Sequence, residues 1–188
     1  MIYYTTDFRG GTKESHRLLE EAIGEYTGDS RQARALTEGM YTGEKGKPYI
    51  DGFEYFSISH TDSVWAVLVS ERECGLDIQH AKRCRAVSIA KRFYHPEDAC
   101  RVTSLYDVDP DKGEDEFFRI WARREALVKA EGGSVADSDI PSVSCDQVDL
   151  KGTPFRISDI RIPDMPDIYA AVCVRGEAPA AAAVFKKI

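Results

Sequence analysis

The 188-residue chain is 43% hydrophobic and 30% charged, which suits a folded core and excludes a disordered tail, a collagen-like repeat or a disulfide scaffold. Twenty-five basic against 32 acidic residues give a net charge of −7, a poor basis for binding nucleic acid through its phosphates. No apolar run approaches the roughly 20 residues that span a bilayer, and the opening Met-Ile-Tyr-Tyr-Thr-Thr-Asp lacks the basic and apolar regions of a signal peptide. A soluble, cytoplasmic protein of one domain or two small halves is expected, binding neither nucleic acid nor membrane.

In chain order, Ile2-Tyr3-Tyr4-Thr5-Thr6 reads as a short strand, and residues 7–11 turn the chain. Ser15 is the expected cap of a helix whose Leu18, Leu19, Ala22, Ile23 and Tyr26 fall at helical spacing. Residues 28–48 are polar and glycine-rich, with one short helix near 33–40. Residues 56–60 and 64–69 pattern as two strands around the turn residues Thr61-Asp62-Ser63, predicting an antiparallel hairpin. Residues 74–78 give the next strand. Helices are predicted over 86–94 and 97–105, the latter with Pro96 in its first turn. An acidic stretch, 107–115, reads as a mobile loop before a long helix over about 116–130, which Gly132-Gly133 stops. Strands at 155–162 and 168–174 close the chain. The fold class is therefore α+β with antiparallel sheets and packed helices. Helix followed by strands occurs twice, so the chain divides into residues 1–80 and 81–188, forming one continuous unit.

Five cysteines without a CxxC pair and four histidines without HExxH spacing argue for reduced thiols and against structural zinc. In the long helix, Phe117, Ile120, Trp121, Leu127 and Val128 form an apolar arc, with Glu125 and Lys129 one turn apart on its border. That pair reads as an i,i+4 salt bridge worth about 0.2–0.5 kcal/mol, or as part of a site. Arg124 falls inside the arc, either snorkelling or holding a phosphate. Asp77 and Gln79 share one strand face, and with a helix glutamate they suit one magnesium ion; otherwise Asp77 merely ends a strand in solvent. Gly46-Lys47-Pro48 and Ser59-His60, taken singly, are a turn and a strand end. The Asp107, Asp109, Asp111 series fails as a calcium loop, because its glycine comes one place late and Phe118 replaces the bidentate glutamate.

Together and in order, four fragments resemble the 4′-phosphopantetheinyl transferases of the surfactin-synthetase-activating type. They are Gly46-Lys47-Pro48, Phe56-Ser57-Ile58-Ser59-His60, Gly75-Leu76-Asp77-Ile78 and Trp121-Ala122-Arg123-Arg124-Glu125-Ala126-Leu127-Val128-Lys129. Ala90-Lys91-Arg92-Phe93-Tyr94 followed by Glu97 is similar to the stretch between that family's second and third motifs. The resemblance covers about residues 13–135. It implies two similar α+β halves with coenzyme A between them. It also implies transfer of the phosphopantetheine arm to a serine of an apo acyl or peptidyl carrier protein, releasing adenosine 3′,5′-bisphosphate. Asp77 and Glu125 would hold magnesium, or manganese, with Gln79 at the position where the family commonly has glutamate. Lys47, Ser59 and His60 would meet the adenosine 3′-phosphate region. Lys129 would neutralise the pyrophosphate or protonate the leaving group. Arg124 stands at the usual lysine position, and Lys13, with His16 or Arg17, replaces the upstream basic residues. Gly132 and Gly133 are adjacent where the family tends to separate them.

Glu125 is the expected general base. A non-catalytic relative that binds coenzyme A or a carrier is the alternative, kept open by Gln79. A magnesium-dependent hydrolase is a third, which no residue calls for. Carrier proteins of this kind are acidic, so the densest basic stretch, Lys82, Arg83, Arg85, Lys91 and Arg92, is the expected docking face unless it is simply a solvated surface. Two halves in one chain make a self-contained site, and a monomer is expected.

Overall fold

In the computed structural model, which describes residues 1–43, 46–133, 139–177 and 183–188, two four-stranded sheets stack between helical layers. The elements run β1 (Ile2–Thr5), α1 (Thr12–Thr27), α2 (Ser30–Glu38), β2 (Tyr41–Thr42), β3 (Pro48–Tyr49), β4 (Tyr55–Thr61), β5 (Val64–Ser70) and β6 (Cys74–His80). They continue with α3 (Ala86–Phe93), α4 (Pro96–Val108), α5 (Pro110–Glu131), β7 (Gln147–Leu150), β8 (Thr153–Ile160), β9 (Ile168–Arg175) and β10 (Phe185–Lys187). One sheet has the order β10-β1-β5-β4 and the other β6-β9-β8-β7; β2 and β3 form a separate ribbon. Among the described residues every pairing is antiparallel except β1 with β10, as the α+β class requires.

Strand alternation sorts the apolar residues into three cores. Tyr3, Trp65, Val67 and Val69 face Leu18, Leu19, Ala22 and Ile23 of α1. The opposite face of that sheet, Ile2, Tyr4, Val64, Ala66 and Leu68, packs on Leu76, Ile78, Ile168, Ala170 and Val172 of the other. The far face of the second sheet, with Phe155, Ile157, Ala171 and Cys173, receives α3, α4 and α5. β5 is buried on both sides, which explains its unbroken Val-Trp-Ala-Val-Leu-Val run.

The structure corrects several expectations. Ser15 caps nothing: α1 starts after Gly11, and the Ser15 hydroxyl accepts the Trp65 indole N–H at 2.9 Å. The stretch 107–115 is not a loop, since α4 runs to Val108 and α5 begins at Pro110. Asp109 alone joins them, its carboxylate accepting the N–H groups of Asp111 and Lys112, and Pro110 sits at the first position where its missing N–H costs nothing. Gly132, at φ 79°, ends α5 as expected. The strand pairings cross the division expected at residue 80: β6 joins the sheet of the later strands, and β10 returns to β1. Among the described residues no helix is long and apolar enough to cross a membrane.

Candidate active site

The two sheets meet where β4 runs beside β6, and side chains rather than a backbone ladder join them. Ser57, Ser59 and Thr61 of β4 accept the backbone N–H groups of Leu76, Ile78 and His80 at 2.9, 3.2 and 3.3 Å. The constant offset means that the two strands run the same way. Alternation turns Gly75, Asp77 and Gln79 away from the core between the sheets and toward α5.

Gly75 lets α5 come close. A methyl group there would stand 1.9 Å from the Ala126 carbonyl oxygen and 2.6 Å from the Ala130 nitrogen. The close approach brings Glu125 and Lys129 over Asp77. Lys129 Nζ donates to Asp77 Oδ1 at 2.6 Å and to Ser59 Oγ at 3.1 Å, and Ser59 Oγ donates to the same carboxylate oxygen at 3.0 Å. Gln79 Nε2 donates to Asp77 Oδ2 at 2.7 Å. Asp77 is only 2% exposed, while the Lys129 side chain is 31% exposed, so the cation opens the buried carboxylate to solvent.

Glu125 is the uncommitted member. The expected i,i+4 bridge is not formed, because Lys129 pairs with Asp77; Glu125 makes no hydrogen bond among the described residues. Burial first, and then the neighbouring Asp77 charge, push its carboxyl above the usual range, against the pull of Lys129 and Arg124. Two carboxylates and the amide oxygen of Gln79, which accepts nothing among the described residues, make an all-oxygen set. Such a set fits magnesium, which binds one or two carboxylates and keeps waters or phosphates. Lys129 answers only one of the two negative charges, so the surplus on Glu125 is what a cation would neutralise.

The remaining candidates lie around this cluster or away from it. Lys47 is 8% exposed, and its ammonium donates to the Cys74 and Ala130 carbonyls, both at 3.0 Å, tying the β3 approach to β6 and the end of α5. Burial lowers its pKa. Lys47 also lines a cavity of about 270 Å³ with Ser57, Lys129, Gly132 and Gly133 among others. Ser59 and His60 face opposite sides of β4: Ser59 points to Asp77, and His60 lies 5.1 Å from the Phe8 ring on the α1 side. Arg124, 4% exposed, lies 5.5 Å from the Tyr94 ring and forms no ion pair among the described residues; burial lowers its pKa. Lys13 sits in the first turn of α1, lining a cleft between α1 and α2 with His16, Arg17 and several glutamates, outside the cluster. In the basic stretch, Lys82 pairs with Asp62 at 2.8 Å, and Arg83 and Arg85 line a cleft of about 750 Å³ just past the end of β6.

Two groups were not singled out in the sequence. Tyr169 lies opposite Gln79 in the β6–β9 register and donates to Asp115, extending the polar face along α5. Arg123, fully buried, donates to the Val143 and Cys145 carbonyls and to Asp146 and Asp159, fastening α5 to the strands beyond it. The alternating hydroxyls at 57, 59 and 61 were the available signal for the seam; neither Tyr169 nor Arg123 carried one.

The family model described as the 4′-phosphopantetheinyl transferase superfamily matches residues 73–181, more than half of the chain. A 4′-phosphopantetheinyl transferase of Bacillus subtilis is 33% identical over 91 residues, covering 47% of this chain and 39% of that protein. The transferase AcpT of Salmonella typhi is 34% identical over 122 residues, 60% of this chain and 62% of the relative. HetI of Nostoc sp. is 26% identical over 180 residues, 93% of this chain and 74% of the relative. The matches thus take in less than two thirds of the length of the first two relatives.

Proposed function

The chain belongs to the 4′-phosphopantetheinyl transferase superfamily, and from that premise we propose that it moves the phosphopantetheine arm of coenzyme A to a serine of an apo acyl or peptidyl carrier protein. The serine oxygen attacks the pantetheine-side phosphorus of the pyrophosphate. The bond to the bridging oxygen breaks, and adenosine 3′,5′-bisphosphate leaves. We assign the surfactin-synthetase-activating type, a monomer, because one chain holds both sheets and the seam between them. Five free cysteines and a coenzyme A substrate agree with the cytoplasm.

The observation that carries this proposal is the Asp77–Ser59–Lys129 triangle beside a partly buried Glu125 that makes no hydrogen bond among the described residues. Asp77, Glu125 and the Gln79 amide would hold magnesium, which would supply Lewis acidity at the pyrophosphate. Such transfers depend on positioning and charge neutralisation more than on covalent help. Glu125, which has no hydrogen bond to release among the described residues, accepts the serine proton directly or through one water. Lys129, already aimed at the carboxylate and open to solvent, meets the pyrophosphate charge as it moves to the leaving group. His60 and Lys13, on the α1 side, take the adenosine end. Lys47 and Arg124 support the coenzyme A site mainly from within the fold. Arg83 and Arg85, next along the chain from β6, receive the acidic carrier.

Intact mass spectrometry of an apo carrier incubated with this protein, coenzyme A and magnesium tests the proposal. One phosphopantetheine is gained, and the gain disappears with chelator and in Glu125→Ala, which still folds. Near-normal turnover in Glu125→Ala would refute the mechanism. A second reading, a relative that binds without transferring, rests on the neutral Gln79; bound coenzyme A with no transfer to any of several carriers would favour it.

A further inference from the structure

Two arginines stand side by side on α5 and are held in opposite ways. Arg123 is fully buried, and its guanidinium donates to the Val143 and Cys145 carbonyls and to Asp146 and Asp159. Arg124 is 4% exposed and makes no hydrogen bond among the described residues. Two carboxylates lie near enough to act on its charge, Asp98 and Glu125. Asp98 already accepts the Ser142 hydroxyl at 2.6 Å and the Val143 N–H at 3.0 Å, and neither carboxylate bridges to Arg124. Among the described residues no fully buried side-chain nitrogen lacks a partner, so the unbonded N–H groups of Arg124 lie at an opening rather than in the core.

An aromatic ring holds this cation. Tyr94, the residue that ends α3, is 8% exposed, and its ring centre lies 5.5 Å from the Arg124 guanidinium carbon. The ring is itself fixed: its hydroxyl donates to the Phe117 carbonyl at 2.9 Å, and it stacks on Phe117 at 5.4 Å and meets Trp121 at 6.3 Å. Phe117, Trp121 and Arg124 fall at i, i+4 and i+7 of α5, so one helix face covers the tyrosine and ends on the arginine. A ring face attracts a guanidinium through its quadrupole, more strongly where water is excluded, and takes none of its five N–H groups. A carboxylate in the same place would bind those N–H groups, as Asp146 and Asp159 bind Arg123. We propose that Tyr94 is a positioning residue for coenzyme A: its ring holds the Arg124 guanidinium beside Glu125 with the N–H edge free for a phosphate oxygen. The proposal deepens the transfer reaction argued above and rests on it. It also gives a reason for arginine where the resemblance places lysine, since a planar, delocalised cation can lie on a ring and still present a fork of donors to a phosphate.

Calorimetry with coenzyme A on the full chain separates the ring from the hydroxyl. Tyr94→Phe removes the bond to the Phe117 carbonyl and keeps the ring; the melting temperature falls while the affinity stays within about twofold. Tyr94→Leu removes the ring face as well, and coenzyme A binds about three- to thirtyfold more weakly, the range for a cation–π contact shielded from water. In the Arg124→Gln background, Tyr94→Leu changes the affinity by less than about twofold, because the ring acts only through the guanidinium. Tyr94→Met carries the same test if the leucine variant does not fold. Equal losses of affinity in Tyr94→Phe and Tyr94→Leu would overturn the proposal. So would losses that add in the Arg124→Gln background, or a lower melting temperature with unchanged affinity in Tyr94→Leu. A wild-type protein that binds coenzyme A but transfers nothing fails the transferase reading alone, and the same set of variants still decides the role of Tyr94.

Discussion

Gly75→Ala probes the packing that assembles the site. The added methyl group would lie 1.9 Å from the Ala126 carbonyl oxygen and 2.6 Å from the Ala130 nitrogen, where ordinary contact begins near 3.4 Å. Both are backbone atoms of α5, so no rotamer change relieves the overlap, and the helix must lift off β6. Overpacking of this kind costs about 1–3 kcal/mol, or roughly 2–12 °C in melting temperature for a chain of this size. The effect on transfer is larger than the effect on stability. Glu125 and Lys129 flank the contact, and a displacement on the order of 1 Å from Asp77 lowers kcat about a hundredfold. Thermal melting and mass-spectrometric timing of carrier modification read the two effects separately. Gly24→Ala is the packing control: its methyl, on α1, would meet Ala33 and Ser30 of α2 at 3.6 Å, an ordinary contact, stabilising the helix by about 0.5–1 kcal/mol and leaving the Asp77 cluster undisturbed. Should Gly75→Ala melt and transfer like the wild type, the helix-to-strand spacing would not be what holds the site.

Gln79→Glu removes the hydrogen bond from Nε2 to Asp77 and adds a third carboxylate; magnesium binding to the protein alone tightens by about tenfold, or roughly 1.4 kcal/mol, and unchanged calorimetry would exclude residue 79 from the metal site. Lys47→Met leaves the Cys74 and Ala130 carbonyls without their donor and costs about 1–3 kcal/mol for each buried group left unpaired, with coenzyme A affinity retained; a large loss of that affinity at an unchanged melting temperature would instead make Lys47 a phosphate ligand. Because burial holds the Lys47 pKa below its ordinary 10.5, the unfolded chain binds more protons between the two values. Wild-type stability therefore gains on Lys47→Met as pH rises through that window, and parallel pH–stability curves would contradict it. Reversing Arg83 and Arg85 to glutamate slows modification of an acidic carrier through its association rate, with coenzyme A affinity intact; an equal rate would end the docking assignment.

Local patterns carried the hairpin of β4 and β5, the long helix and its glycine stop, because alternation, helical spacing and turn residues act within a few positions. They misread 107–115, where acidic side chains masked an Asp109-Pro110 junction that is itself a helix start. They could place Glu125 and Lys129 on one face but not choose between their partners. Spacing allows the i,i+4 bridge, yet Lys129 bonds to Asp77, 52 residues away in sequence. Lys47 and Ser59 were legible as polar residues near a site, whereas their burial depends on strands and helix ends up to 83 positions distant. The neighbours Arg123 and Arg124 show the same limit. One is spent on four oxygens of the later loop and strand, and the other lies over an aromatic ring.

The position of the site follows from the seam itself. Paired strands lie about 4.8 Å apart, with their N–H and C=O groups spent on each other. β4 and β6 belong to different sheets, so the N–H groups of Leu76, Ile78 and His80 turn instead to hydroxyls. The Lys129 ammonium reaches the same seam, bonded to a carboxylate that is only 2% exposed. Ser59, Gln79 and Lys129 all donate to Asp77, so its buried oxygens are hydrogen-bonded. The interruption in backbone pairing thus brings a seam hydroxyl, Ser59, to the carboxylate as one of the three donors that make its burial tolerable.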